Sequence, residues 1–242
     1  MLAEIGTAKS SQTSTVDYVI EAIRNLLLDG SLKPGECLPA EGELTKLLSV
    51  SRGSLREAKK ILSVLGVLKI KRGDGSYIAE SDSKVALDTM LFSFALSQPS
   101  LKEIYDLRLM METGIIEKAI DNATDEDVDE LQSCLSEMME VAKKGVADVS
   151  QMAELDIKFH ELLGKLTRNN LIIKIYSYIM SFLSHSIIES HRTDYAKSAI
   201  DSHALIIDAI RTRDKTRIKE VTTITLNTWY RLVEKKYGKP IA

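Results

Sequence analysis

Residues 36–78 read E-C-L-P-A-E-G-E-L-T-K-L-L-S-V-S-R-G-S-L-R-E-A-K-K-I-L-S-V-L-G-V-L-K-I-K-R-G-D-G-S-Y-I, and this stretch decides the fold of the amino-terminal third of the chain. A short helix, a turn, a second helix and two short β-type runs around Gly73-Asp74-Gly75 make a winged helix-turn-helix. The second helix opens at Val50-Ser51, with Ser51 as its natural N-cap. Arg52, Gly53, Ser54 and Arg56 occupy its first turns, and Leu55, Ala58, Ile61, Leu62 and Leu65 form its apolar face. The amino terminus of such a helix is where it meets DNA. Guanidinium forks there reach base edges or phosphates, while serine hydroxyls and free backbone N–H groups suit phosphate oxygens.

Charge points the same way. Between Lys46 and Gly73 there are eight basic side chains (Lys46, Arg52, Arg56, Lys59, Lys60, Lys69, Lys71, Arg72) against Glu57 alone, in a chain of net charge -3. Such a local excess marks a polyanion-facing surface, the alternative being an ordinary solvated lysine face.

Outward from this stretch, a first helix starts after Ser14 or Thr15 and runs to about Asp29. It presents Val16, Val19, Ile20, Ile23, Leu26 and Leu27 on one face, with Gly30 as its cap. The wing strands are Val67–Ile70 and Ser76–Ala79. Residues 1–13 are a polar, disordered lead-in without a secretory core. The winged domain covers 14–80, and 81–83 form a linker. From 84 to 238 the sequence is helical throughout, in segments Lys84–Leu96, Leu101–Asn122, Asp125–Lys144, Ser150–Leu166, Leu171–Glu189, Tyr195–Thr212 and Lys215–Tyr237. They are separated by Pro99-Ser100, Thr124, Gly145, Asn169-Asn170, Asp194 and Asp214. The fold class is therefore mainly α: a winged helix-turn-helix followed by an all-α bundle of about seven helices.

With 242 residues, 44% hydrophobic and 28% charged, the chain has the composition of a soluble two-domain protein. Cys37 and Cys134 lie far apart with no metal or redox spacing, which fits a reducing cytoplasm. The apolar run Leu171–Ile188 contains Lys174, several serines and His185, and reads as a buried helix rather than a membrane span. Residues 81–242 carry 21 basic and 25 acidic side chains, so the helical part is not itself a polyanion binder. Its methionines, at 110–111 and 138–139, read as core.

In the helical part, Asp156 and His160 are four apart and share a helix face, from which they can ligate one metal ion or form a hydrogen bond. Arg108 offers a guanidinium to a carboxylate, or an intrahelical ion pair to Glu112.

Residues 16–78 resemble the DNA-binding domain of the GntR transcription regulators. The matching residues are Gly30-Ser31-Leu32-Lys33-Pro34-Gly35, Leu38-Pro39-Ala40-Glu41, Val50-Ser51-Arg52, Leu55-Arg56-Glu57-Ala58 and Gly73-Asp74-Gly75. The resemblance implies that Arg52 and Arg56 contact bases and phosphates, Ser51 and Ser54 hold phosphates, and Arg72-Gly73 enter the minor groove. Ala40 and Gly42 stand where the family often has Ser and Arg, so the second helix lacks a capping hydroxyl and one base contact.

Residues 84–236 resemble the helical FCD effector domain of the FadR-like branch. Asp156-x-x-x-His160 and His203-Ala204-Leu205-Ile206-Ile207-Asp208-Ala209-Ile210 match its metal-binding pattern, and Arg108 with Glu112 matches its R-x-x-x-E. The last histidine of that pattern falls on Thr225. The resemblance implies Zn²⁺ or a similar divalent metal on Asp156, His160 and His203. It also implies an effector site comprising Arg108, Asp156, His160, His203 and Thr225, with His185 or His191 as substitutes for the missing ligand. Asn227 points elsewhere on its helix. A metal-free pocket in which the Asp and His residues hydrogen-bond the effector is the alternative.

Together these imply a cytoplasmic, nucleoid-associated, one-component regulator with no enzymatic activity. It binds an inverted-repeat double-stranded DNA operator as a homodimer, without membrane, and controls uptake or catabolism of a small organic or sugar acid, as a repressor in the commoner family arrangement. A small carboxylate is the expected effector. The alternatives are an acyl-CoA-responsive regulator without metal, a metal-dependent helical enzyme domain on a DNA anchor, and a ligand-independent architectural DNA binder.

Overall fold

In a computed structural model of the chain, residues 14–80, 84–143, 148–191 and 195–237 are described. The expected lead-in 1–13, linker 81–83, helix end at Lys144, breaks at Gly145 and Asp194, and chain end at 238 lie outside them. The chain divides into two compact units, Met1–Met90 and Leu91–Ala242.

The first unit is built from α1 (Thr15–Leu28), α2 (Glu41–Leu47), α3 (Arg52–Val64), β1 (Leu68–Lys71) and β2 (Gly75–Ile78). Ser14 caps α1 by accepting from the Asp17 amide, and Gly30 ends it with φ 77°, a conformation that costs glycine nothing. The strands pair antiparallel with Leu68 opposite Ile78 and Lys71 opposite Gly75. The wing is thus shifted by one residue from the expected strands. Val19, Ile23 and Leu26 of α1, Leu44 of α2, Leu55, Ala58 and Leu62 of α3, and Leu68 and Ile78 of the wing form one core.

The buried stripe of α3 differs from the expected one. Leu55, Ala58, Lys59 and Leu62 are inside, while Ile61 and Leu65 are exposed. The spacing i, i+3, i+4, i+7 selects position 59 over 61. A lysine is tolerated there because Glu41 on α2 takes its ammonium at 3.0 Å.

The second fold region comprises α4 (Lys84–Ser97), α5 (Leu101–Asn122), α6 (Asp125–Lys143), α7 (Val149–Lys165), α8 (Asn170–His191), α9 (Tyr195–Arg211) and α10 (Ile218–Tyr237), the last preceded by a 3₁₀ turn at Lys215–Arg217. These are the seven helices expected. Two of the helix starts show their capping chemistry directly. A capping box, Ser100 with Glu103, opens α5. Asp148 caps α7 through the Ser150 and Gln151 amides. One continuous core runs through α5 to α10, around Ile116, Leu131, Met138, Phe159, Leu163, Met180, Ile210 and Trp229. Met138 belongs to it, whereas Met110 and Met139 are exposed, against expectation. Helix α8 has a window of mean hydropathy 1.5, apolar and long enough for a membrane. It nevertheless buries Tyr176, Ile179, Met180, Leu183 and Ile187 within this bundle.

Candidate functional site

At the front of the winged unit, Ser51 has extended backbone and its Oγ accepts the Ser54 amide at 3.0 Å, so the cap anticipated at this position is present. The two hydroxyls also lie 3.0 Å apart. Arg52 and Gly53 are exposed at the first turn, and Ser54 is half-buried. Arg56 is exposed but not free, since its Nε donates to Glu41 Oε2 at 2.9 Å. Glu41 therefore holds Arg56 with one oxygen and Lys59 with the other, and these contacts keep its carboxyl below the usual range. Ala40, at the N-cap of α2, makes no side-chain cap. The turn into α3 passes through Ser49 at φ 52°, a strained position for a non-glycine residue.

The wing tip carries Arg72 and Gly73, both exposed, with Gly73 at φ 81°. Behind them Tyr77 donates to Asp74 at 3.0 Å, which with burial and the Asp74 charge pushes the phenol up to about 12. Lys71 lies 4.3 Å over the same ring. The seven residues picked out in this unit thus occupy two exposed segments, the opening of α3 and the wing tip.

In the helical unit, Asp156 and His160 of α7 point inward with His203 of α9, and all three are buried. Asp156 Oδ1 lies 3.2 Å from His203 Nε2 and 3.5 Å from His160 Nε2. It accepts no well-formed hydrogen bond among the described residues. One ligand atom from each residue lies within 4.8 Å of the others. Four tetrahedral donors around a zinc ion sit roughly 3.3–3.6 Å apart, given bonds of about 2.0–2.2 Å. The two Asp156 Oδ1 separations are close to that spacing, and the one-oxygen, two-imidazole set suits Zn²⁺ or a related divalent ion.

The surroundings fix the donors. His160 Nδ1 lies 2.7 Å from the Tyr176 hydroxyl of α8, leaving Nε2 toward the cluster. His203 stacks on Phe159, centroids 3.8 Å apart and planes 9° apart. Burial lowers the His160 pKa to about 4, against the opposing pull of Glu112 and Asp156, so the ring is neutral and competent to ligate. Burial alone would push Asp156 up. Contacts with His191 and His203, and the fields of His203 and His160, outweigh it and hold the carboxyl well below the usual range.

Arg108 of α5 adjoins this cluster but pairs within its own helix. Its Nε and Nη2 meet Glu112 Oε1 at 2.8 and 2.7 Å, and the guanidinium lies 4.6 Å over the Trp229 ring of α10. The intrahelical ion pair to Glu112 is present, in a buried position from which the Arg108 charge acts on His160. Thr225 is buried on α10, and its hydroxyl donates to the Thr222 carbonyl at 2.8 Å. Asn227 accepts from Tyr105 at 2.9 Å, away from the cluster. His185 is exposed. His191 is not among the converging donors, and its Nε2 sits 2.8 Å from the other oxygen of Asp156. Tyr176, Phe159 and Trp229 were not anticipated. They are apolar or aromatic core positions with no spacing that links them to the metal pattern.

Two family models match this chain, "Bacterial regulatory proteins, gntR family" over residues 15–78 and "FCD domain" over 103–228, the latter more than half its length. The chain belongs to the GntR family. Its FCD domain places it with the FadR-like branch, and it is a DNA-binding transcription regulator. Among GntR-family relatives, it is 25% identical to the HTH-type transcriptional repressor NanR of Cronobacter sakazakii, covering 97% of this chain and 93% of that protein. It is likewise 25% identical to the HTH-type transcriptional regulator LutR of Bacillus subtilis, over 69% of this chain and 74% of that one. Its fold resembles that of Streptococcus agalactiae GntR, with TM-score 0.60 and 23% identity, over 89% of this chain and 99% of the other.

Proposed function

We propose that this GntR-family regulator is a cytoplasmic, homodimeric repressor whose helical domain holds a divalent metal, Zn²⁺ or similar, on Asp156, His160 and His203 and senses a small organic or sugar acid beside it. The convergence of Asp156 Oδ1 with two imidazole Nε2 atoms, in a buried site next to Arg108, carries the reading. A bound metal would supply a Lewis-acid centre for the carboxylate of the effector. The protein's own contribution is a neutral His160, an ionised Asp156 and a guanidinium at hand. Arg108 can turn part of its charge from Glu112 toward the incoming acid. Glu161 is exposed, on the side away from the ligands, and so is not placed to act as a general base at this cluster; the chain is read as a regulator rather than an enzyme.

At the DNA, Arg52 and Arg56 contact bases and phosphates, Ser51, Gly53 and Ser54 present hydroxyl and amide groups to phosphates, and Arg72-Gly73 enter the minor groove. Two copies read an inverted repeat. An effector that favours the DNA-incompetent arrangement by a few kcal/mol empties the operator.

The test combines duplex selection with a ligand screen. Duplexes selected from a random pool should share an inverted repeat. Small carboxylic, hydroxy and sugar acids should then raise the melting temperature of metal-loaded protein and release the selected duplex. Selection of a repeat with no acid shifting either quantity, while acyl-CoA thioesters do, would overturn the small-acid reading.

A further inference from the structure

Besides the three converging donors, the buried cluster contains a fourth charged or polar group that the metal pattern does not include. His191 is the last residue of α8, and its side chain is fully shielded from solvent. Its Nε2 lies 2.8 Å from Asp156 Oδ2, which is hydrogen-bond distance, while Oδ1 of the same carboxylate faces His160 and His203. The two oxygens of Asp156 therefore have different partners. Oδ1 points into the donor cluster, and Oδ2 is tied to another helix.

We infer that His191 is the positioning residue of the metal site, holding Asp156 so that it ligates through Oδ1 alone. This inference rests on the metal reading given above. The need for such a residue follows from Thr225. The position that would carry a third imidazole bears a hydroxyl whose proton is already directed to the Thr222 carbonyl, so among the described residues three donors converge rather than four. With fewer ligands, misplacement of any one costs a larger share of the affinity. An aspartate can rotate about χ2 and exchange its oxygens, and a carboxylate free to do so binds one-oxygen or two-oxygen with a spread of geometries. An N–H donor fixed on Oδ2 removes that freedom before the metal arrives. His160 has its own restraint in Tyr176, and His203 has one in Phe159. Asp156 has His191. Each ligand is thus oriented by one neighbour, and these neighbours come from two helices, α7 itself and α8.

Glutamine can place an N–H near the Nε2 position of histidine, whereas phenylalanine keeps the volume and loses the donor. The experiment measures Zn²⁺ affinity by competition with a chromophoric chelator, and the visible spectrum of the Co²⁺ form, for the parent and for His191→Phe and His191→Gln. The expected result is a 10–100-fold loss of affinity in His191→Phe, the effect typical of removing a group that orients a ligand. Most of that loss should be recovered in His191→Gln, with the parent's Co²⁺ spectrum retained. Thermal unfolding of the metal-free forms separates a positioning role from a structural one, because a positioning residue moves the affinity far more than the metal-free melting temperature. His191→Phe with parental affinity would overturn the inference and leave the three-ligand site standing. Loss in His191→Gln equal to that in His191→Phe, with a changed Co²⁺ spectrum, would also overturn it by making His191 a ligand. A parent that takes up neither ion would remove the metal reading itself.

Discussion

The two units of this regulator put their chemistry in opposite places. In the winged unit the side chains proposed to meet DNA, Arg52, Arg56 and Arg72, are exposed above the core of that unit. In the helical unit the proposed site residues, Arg108, Glu112, Asp156, His160, His191 and His203, are all buried. A surface that reads a polyanion gains from solvated, mobile charge. A site that selects a small molecule gains from dry, fixed charge, and each buried ion must then be matched by a partner. Changes in the helical unit should therefore disturb stability and function together, while changes at the DNA-facing surface should separate them.

The sharpest test of that contrast is the buried Arg108–Glu112 pair. Replacing Glu112 by Ala strips a buried guanidinium of its carboxylate and should cost about 3–5 kcal/mol in chemical denaturation. Replacing Glu21, whose pair with Arg24 is exposed, should cost well under about 1 kcal/mol. Equal costs would erase the distinction between the units. Leu55→Ala, at a fully buried position of α3, should destabilise the winged unit by about 2–5 kcal/mol, with the Zn²⁺ affinity of the helical unit unchanged. Loss of both would show that the units do not carry their functions separately.

Arg52→Ala should leave stability as it was and weaken specific duplex binding by roughly 10- to 100-fold, the effect of one lost base contact. A gel-shift series at several salt concentrations checks this, and unchanged binding would remove Arg52 from the DNA surface. The smallest effect belongs to Ser51→Ala, expected to cost about 1 kcal/mol through the lost cap on α3. Thermal unfolding reads it, and a change within error would mean that Ser51 acts on DNA alone.

How much could be read from the sequence follows the same division. The winged unit is spelled by contiguous residues, because a cap, a turn and a helix face depend on neighbours a few positions away. Ser51, Gly30 and Gly73 could be assigned on that basis, and the wing was off by one residue only. The stripe on α3 departs from the expected one at Ile61 and Leu65, and Glu41, which lets Lys59 go inside, comes from another helix. In the helical unit the helices were legible from periodicity and caps, and Asp156 with His160 from their spacing of four. Most distances that give the cluster meaning join residues on different helices, 16 positions apart for His160 with Tyr176 and 35 for Asp156 with His191. Tyr176 and Phe159 carried no signal, since an aromatic residue that orients a histidine has the same pattern as one that fills a core.

The central claim is that the buried Asp156–His160–His203 cluster is a metal site. It is tested most directly by elemental analysis of protein purified without chelator or histidine tag, beside His160→Ala prepared in the same way. The expected result is about one divalent metal per chain in the parent and a large loss in the variant, with the selected duplex still bound by both when effector is absent. A metal-free parent that takes up no Zn²⁺ on addition, yet still binds DNA and responds to a ligand, would contradict it.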